Sequence, residues 1–207
     1  MECLTESHYL PGIRLFSKFL IYDRVNIDKT GFFARQTYRN RCHIVGPNGM
    51  HALSIPVKNA SHLLRMEEVE IDHSKNWQHV HWHSLKAAYG KSPFFDLYVH
   101  EFKGIYEGTP RFLFESNLSI IKLCMKILRL PVERLGIWEG ADPFMGTDLR
   151  SQIHPKPQKD KKDANFSPAP YMQVWEDRFG FVPGLSIADL IFNEGPEARG
   201  VLGKCLA

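Results

Sequence analysis

Cysteine is scarce in this 207-residue chain, and Cys3, Cys42, Cys124 and Cys205 lie far apart. No two stand at C-x-x-C spacing, which removes zinc ribbons and dithiol redox motifs. A chain of this length can bury a core without cross-links, so free thiols in a reducing compartment are expected. Long apolar runs are missing as well, none approaching the ~20 residues of a membrane-spanning helix. The opening MECLTESHYLP has no basic start followed by an apolar stretch and does not read as a secretion signal. A cytoplasmic location is therefore expected. Charge of one sign is also lacking. A formal net charge of +3 is too mild for a nucleic-acid binder, which gathers its basic excess on one face. No G-x-G-x-x-G, P-loop or G-x-S-x-G pattern occurs, so standard nucleotide binding and serine hydrolysis lack support. There is no H-E-x-x-H and no internal repeat.

What is present is an ordinary globular composition, 43% hydrophobic and 24% charged. Strands are expected at 2–6, 19–28, 31–45, 52–57 and 66–72, with GPNG (46–49) turning the third into the fourth as a hairpin. Pro11 suits the first position of a helix that carries Leu10, Ile13, Phe16 and Leu20 on one stripe. Helical spacing recurs at 76–90, closed by Gly90, at 92–108 and at 115–130, the most apolar of these. Prolines 143, 155, 157, 168 and 170 and the charge run QKDKKD interrupt 140–170, where no regular element is expected. Order returns at 171–186, and SIAD opens a last helix through a capping-box-like start at Ser186, ending at Gly195. The pattern predicts an α/β or α+β fold: a mixed sheet of the N-terminal strands with helices packed on it, and an irregular C-terminal extension. It divides as a core over 1–140, a Pro-rich loop or lid over 141–170 and a segment packing back over 171–207.

RQTYRNRC (35–42) is the most unusual stretch. As a strand it sets Arg35, Thr37, Arg39, Arg41 and His43 on one face and Gln36, Tyr38, Asn40 and Cys42 on the other. Guanidinium groups at ~6.5–7 Å intervals suit an anion with several charged oxygens. The plain alternative is a solvated strand whose arginines pair with acids such as Glu67, Glu68 and Glu70. Both faces being polar argues for a cleft wall.

Three histidines cluster at 79, 81 and 83. His79 and His83 share a helical face, and His81 falls in the apolar stripe with Trp77 and Leu85. A metal site is not expected. His81 reads either as a hydrogen-bonded core residue or as a general base. His8 sits between a strand and a helix start, a place for a ligand-binding group or simply a surface loop residue. Cys42 reads as a small packed residue, not a nucleophile.

These segments also resemble a known family. RQTYRNRC with NG at 48–49 and LSIPV at 53–57, HYLP at 8–11, VEIDHSKNW at 69–77 and HWHSLKAAYGKSPFF at 81–95 are similar to the WbqC-like family. TDLRSQIHPK (147–156) and YMQVWEDRFGFVPGLSIADLIFNEGP (171–196) resemble its longer, Bacteroidetes-like branch. Two positions depart: GFF (31–33) stands where an acid or amide and a Tyr are common, and Gly184 where an amide is. The resemblance implies surface-polysaccharide (O-antigen type) biosynthesis, an association drawn from gene context. It suggests transfer of an acyl or aminoacyl (glycyl) group to a sugar or sugar nucleotide. It also marks Asp148, Arg150, His154 and Lys156, on a loop able to cover a cleft. The expected site is thus His8 and His81 for proton transfer and Arg35, Tyr38, Arg39, Asn40, Arg41, Asp148, Arg150, His154 and Lys156 for an anionic small molecule. No cofactor, nucleic acid or membrane span is expected. The alternative is a non-catalytic anion-binding or scaffold protein of the same pathway.

Overall fold

The protein is described from a computed structural model covering residues 1–59, 61–140 and 143–207. Residues 141–142, beside the boundary expected after 140, lie outside the described residues. Strand β1 (Glu2–Glu6) pairs in parallel with β2 (Arg24–Asp28), and β2 with β5 (Leu135–Trp138). On the other side β1 pairs in parallel with the two-residue β6 (Thr147–Asp148). The order is β5-β2-β1-β6, with a separate antiparallel hairpin of β3 (Arg41–Gly46) and β4 (Gly49–Ser54). The fold is mixed α/β, as expected. Cys3, Leu4, Val25 and Ile27 are all fully buried, which is what parallel strands covered on both faces require.

Helix α1 (Ile13–Ile21) links β1 to β2. Its apolar stripe of Ile13, Phe16 and Leu20 carries the helix through Ile21, so the strand expected from 19 begins only at Arg24. Helices α2 (Trp77–Tyr89), α3 (Phe95–Glu107) and α4 (Leu113–Ile127) follow the expected periodicities closely. A single turn, α5 (Glu176–Phe179), precedes α6 (Ile187–Glu194) and α7 (Ala198–Lys204), the last not anticipated. Helix α6 lies at the centre of the core, buried from Ile187 to Asn193. The Phe192 ring meets Tyr89, Phe95 and Phe102 at centroid distances of 5.4, 5.1 and 4.6 Å. Ser186 caps α6 by accepting from the Ala188 amide, but Asp189 points inward instead of closing a capping box. Gly195 ends the helix at φ 52°, where a Cβ would run into the Phe94 ring.

Two expected strands are not strands. Of 31–45, Phe32 makes an isolated bridge to Arg65, and only the end from Arg41 enters a ladder among the described residues. Before it the chain turns twice: Gln36 sits at φ 59°, Thr37 donates to the Ala34 carbonyl and Asn40 donates to the Ile55 carbonyl. Such short polar side chains offer the backbone an alternative to a ladder. Consequently Arg35, Arg39 and Arg41 do not form a row on one strand face. The stretch 66–72 is a 3-10 turn (Met66–Glu68) closed by Glu68 on the Arg65 amide, followed by the isolated bridges Glu70↔Phe112 and Val57↔Ile71.

Candidate active site at the edge of the parallel sheet

The neighbours of β1 diverge: the chain runs from β1 through α1 to β2 on one side, and β6 lies on the other. The carboxyl ends of such strands are where open α/β sheets place ligands. Strand β1 ends there on Glu6, followed by Ser7 and His8, all buried. Three contacts bring the 35–40 turns onto this point. The Tyr9 amide donates to the Tyr38 carbonyl (2.8 Å), and Asn117 of α4 donates to the Arg39 carbonyl (2.8 Å) and to Ser7 Oγ (3.0 Å). Arg39 Nη2 donates to Glu6 Oε1 at 2.6 Å.

Glu6 is therefore shared. One oxygen takes Arg39, and the other faces His8 Nε2 at 3.6 Å. Burial works against its charge, but His8 and Arg39 outweigh that and bring its carboxyl down to about 2. His8 is 1% exposed. Burial, opposed by Glu6 and aided by Arg39, holds its imidazolium form below the ordinary range. The ring is thus neutral at pH 7. With a carboxylate opposite Nε2, the proton belongs on Nε2 and the lone pair on Nδ1. His8 Nδ1 has no hydrogen-bond partner among the described residues. The ring packs on Tyr38, centroids 5.5 Å apart, and Tyr38 in turn meets His43 edge-on.

Tyr38 also lines a cleft of about 630 Å³, together with His154, Phe166 and Arg14. Its walls are the start of α1, the proline-rich strap after β6 and the Pro183–Gly184 turn. The strap is fastened to α1 by charge: Arg14 pairs with Asp160 and Asp163, and the buried Lys18 with Asp163. Gly184, where the resemblance leads one to expect an amide, lies in this wall at φ 76°.

The remaining expected residues are placed as follows. Arg35 is exposed on the first turn. Arg41 Nε donates to Ser54 Oγ across the hairpin, and Asn40 holds the Ile55 carbonyl. Asp148 grips Arg150 through two oxygens, and Arg150 reaches Asp28 at the end of β2 (3.0 Å), so this pair ties two strands together. Lys156 is exposed, and its amide donates to His154 Nδ1. His81 sits in the interior with Tyr9, Trp77 and Tyr106. Its Nδ1 bonds Tyr9 Oη (2.9 Å) and it also meets the Ser54 backbone. Burial, partly offset by that backbone contact, takes it down to about 4. These contacts are distinct from those of His8, so the two histidines do not converge. The Cys42 thiol is buried and pushed well up by burial, and all four cysteines are free. His79 and His83 do share a face, with rings 4.1 Å apart, and no cluster of three metal-ligating side chains occurs among the described residues.

The sequence reading missed Glu6, Arg14 and Asn117. Two of them left a trace: Glu6 and His8 stand two apart at a strand end, and Asn117 interrupts the apolar stripe of α4; Arg14 left none.

A carboxylate–histidine pair thus stands at the carboxyl edge of a parallel sheet, packed on Tyr38, which lines a cleft of the size small-molecule sites have. The chain belongs to the WbqC-like protein family, whose model matches residues 6–141. That span begins at Glu6 and includes His8, Tyr38, Arg39 and His81, while the strap after β6 lies beyond it. Rv1507c of Mycobacterium tuberculosis, itself uncharacterised, is 24% identical over 98% of this chain and 97% of its own length. No solved structure matches. Among the described residues no helix is long and apolar enough to cross a membrane.

Proposed function

We propose that the protein acts in surface-polysaccharide biosynthesis and transfers an acyl or aminoacyl group to a sugar or sugar nucleotide held in the cleft. Family membership supports the pathway, and the site supports the chemistry. The observation that carries it is His8: buried, neutral, backed by Glu6, with Nδ1 unpartnered among the described residues and the ring packed on the cleft-lining Tyr38. In this role Nδ1 removes the proton of the attacking amine or hydroxyl as its lone pair joins the acyl carbon, and the imidazolium returns that proton to the departing group. Tyr38 and Phe166 offer flat faces to a sugar ring, and a cleft of about 630 Å³ is of the size small-molecule sites have. Arg39 serves by positioning Glu6.

Calorimetry against a panel of sugar nucleotides tests the binding half, with Tyr38→Ala as the weakened variant. No heat from any panel member with the wild-type protein would remove the proposal. A second reading, a binding or scaffold protein without chemistry, is favoured by one observation: Arg39 is already paired with an acid of the protein itself. The two part on His8→Gln. A binding protein keeps its full function in that variant, whereas the transferase keeps ligand binding and loses turnover.

A further inference from the structure

The guanidinium in the cleft wall is that of Arg14, a residue outside the arginine-rich stretch. Its three nitrogens have different partners. Nε donates to Asp163 at 3.0 Å and Nη2 to the Lys161 carbonyl at 2.6 Å, which fixes the plane of the group against the strap. Nη1 faces both oxygens of Asp160, at 3.0 and 3.1 Å. The two acids are not equivalent. Asp163 is 13% exposed and also holds the buried Lys18, whereas Asp160 is 39% exposed and, among the described residues, otherwise accepts only the His154 amide. Arg14 is thus anchored on two nitrogens and offers the third to a removable carboxylate. Lys161 and Lys162 line the same cleft, and neither has an ion pair among the described residues.

We propose that Arg14 grips a phosphate or pyrophosphate group of the ligand, and that the Asp160 carboxylate occupies that group's place until the ligand displaces it. This rests on the reading of the cleft as the ligand site. A phosphoryl group reproduces the oxygens of Asp160 and adds negative charge for Lys161 and Lys162 to meet. Because Asp160 also holds the His154 amide, its displacement frees the strap turn that carries His154, another cleft residue. Binding and rearrangement of the strap are then one event.

The test is titration of the full chain with inorganic pyrophosphate, followed by calorimetry and by the NMR signals of Ile153 and Phe166. Asp160→Asn keeps an oxygen for the His154 amide and removes the competing charge. It is expected to bind pyrophosphate about tenfold more tightly than wild type. Arg14→Lys keeps a cation facing Asp163 and loses the planar fork, and is expected to bind about fivefold more weakly than wild type. Equal affinity in wild type and Asp160→Asn, with Ile153 and Phe166 shifting in both, overturns the role of Arg14 and leaves the cleft reading standing. No shift and no heat in either protein overturns both.

Discussion

His8 and His81 are both buried and both held neutral by burial, within one fold, yet their surroundings differ in kind. His81 is closed in by Tyr9, Trp77 and Tyr106, with one nitrogen on the Tyr9 hydroxyl and a further contact to the Ser54 backbone. His8 lies between a charged carboxylate and Tyr38, and its Nδ1 meets no partner among the described residues. A buried histidine with saturated nitrogens adds stability and specificity to a core. One with an unpartnered nitrogen, packed on a residue that lines a cleft, keeps a proton-accepting lone pair at the cost of an unmade hydrogen bond. The difference lies in neither burial nor direction of titration but in the partners: a charged carboxylate and an unpartnered nitrogen for His8, and hydrogen-bonded neutral groups for His81.

The sharpest way to break this comparison is to replace each ring. His8→Gln is expected to lower turnover by about 10²–10⁴, the range general-base catalysis supplies, with a melting curve close to wild type. Comparable loss of turnover in His81→Gln would make the two sites equivalent and sink the distinction. His81→Ala should instead unfold in urea with a loss of about 3 kcal/mol. It opens a cavity and strands the Tyr9–Tyr106 hydroxyl pair in the core.

Acid titration sharpens the same contrast. His81 falls from an ordinary 6.5 to about 4 in the folded chain. The unfolded chain therefore takes up this proton first. Stability from the neutral ring is complete above pH 6.5 and declines as pH falls toward 4, by about 3 kcal/mol at most. Asp189 runs the other way. Burial raises it from 3.8 to about 6, against the bonds from Tyr171 and Gln173, so its contribution is present below 3.8 and fades as pH rises through 6. Glu6, lowered from 4.5 to about 2, loses its contribution only below 4.5. Wild-type stability is thus a sum of opposed slopes, and the informative quantity is the difference between wild type and His81→Gln. The advantage of wild type over that variant should shrink as pH falls from 6.5 to 4 in chemical denaturation, and a constant advantage would show that His81 does not titrate as described.

How much of this was legible beforehand depended on the range of the forces involved. The helices at 77–89, 95–107 and 113–127 and the 46–49 hairpin turn follow from local periodicity and turn chemistry, which act within a few residues. The 33–40 segment did not, because its fate is set by bonds to distant residues: the Asn40 amide to Ile55, Asn117 to Arg39, and the Tyr9 amide to Tyr38. His8 was visible as a residue but not as buried, since its cover comes from the 38–39 turn and from Glu6. Arg14, Asp160 and Asp163 are about 150 positions apart in sequence, and no pattern within the chain announces that a charge run should fold onto a helix start. The domain limits at 140 and 170 are expectations that the strap's packing neither requires nor removes.

The arginines give the smallest and most diagnostic contrast. An alternating strand would make Arg39 and Arg41 equivalent neighbours, so their alanine variants would behave alike. The structure separates them. Arg39 is 12% exposed and neutralises a Glu6 carboxylate that is itself 8% exposed, so Arg39→Ala leaves a buried anion with only His8 and the long Ser151 contact (3.5 Å) among the described residues. Breaking such a pair costs about 2 kcal/mol after allowance for its partial exposure, and the lost cation also draws Glu6 more tightly onto His8. Among the described residues the Arg41 guanidinium donates only to Ser54 Oγ at an exposed place on the hairpin, and Arg41→Ala should stay within about 0.5 kcal/mol of wild type. The ring signals of His8 should accordingly move in the first variant and hold still in the second. Equal effects in the two variants, on denaturation midpoint and on His8, would restore the picture of one arginine row and take away the shared carboxylate on which the proton-transfer reading depends.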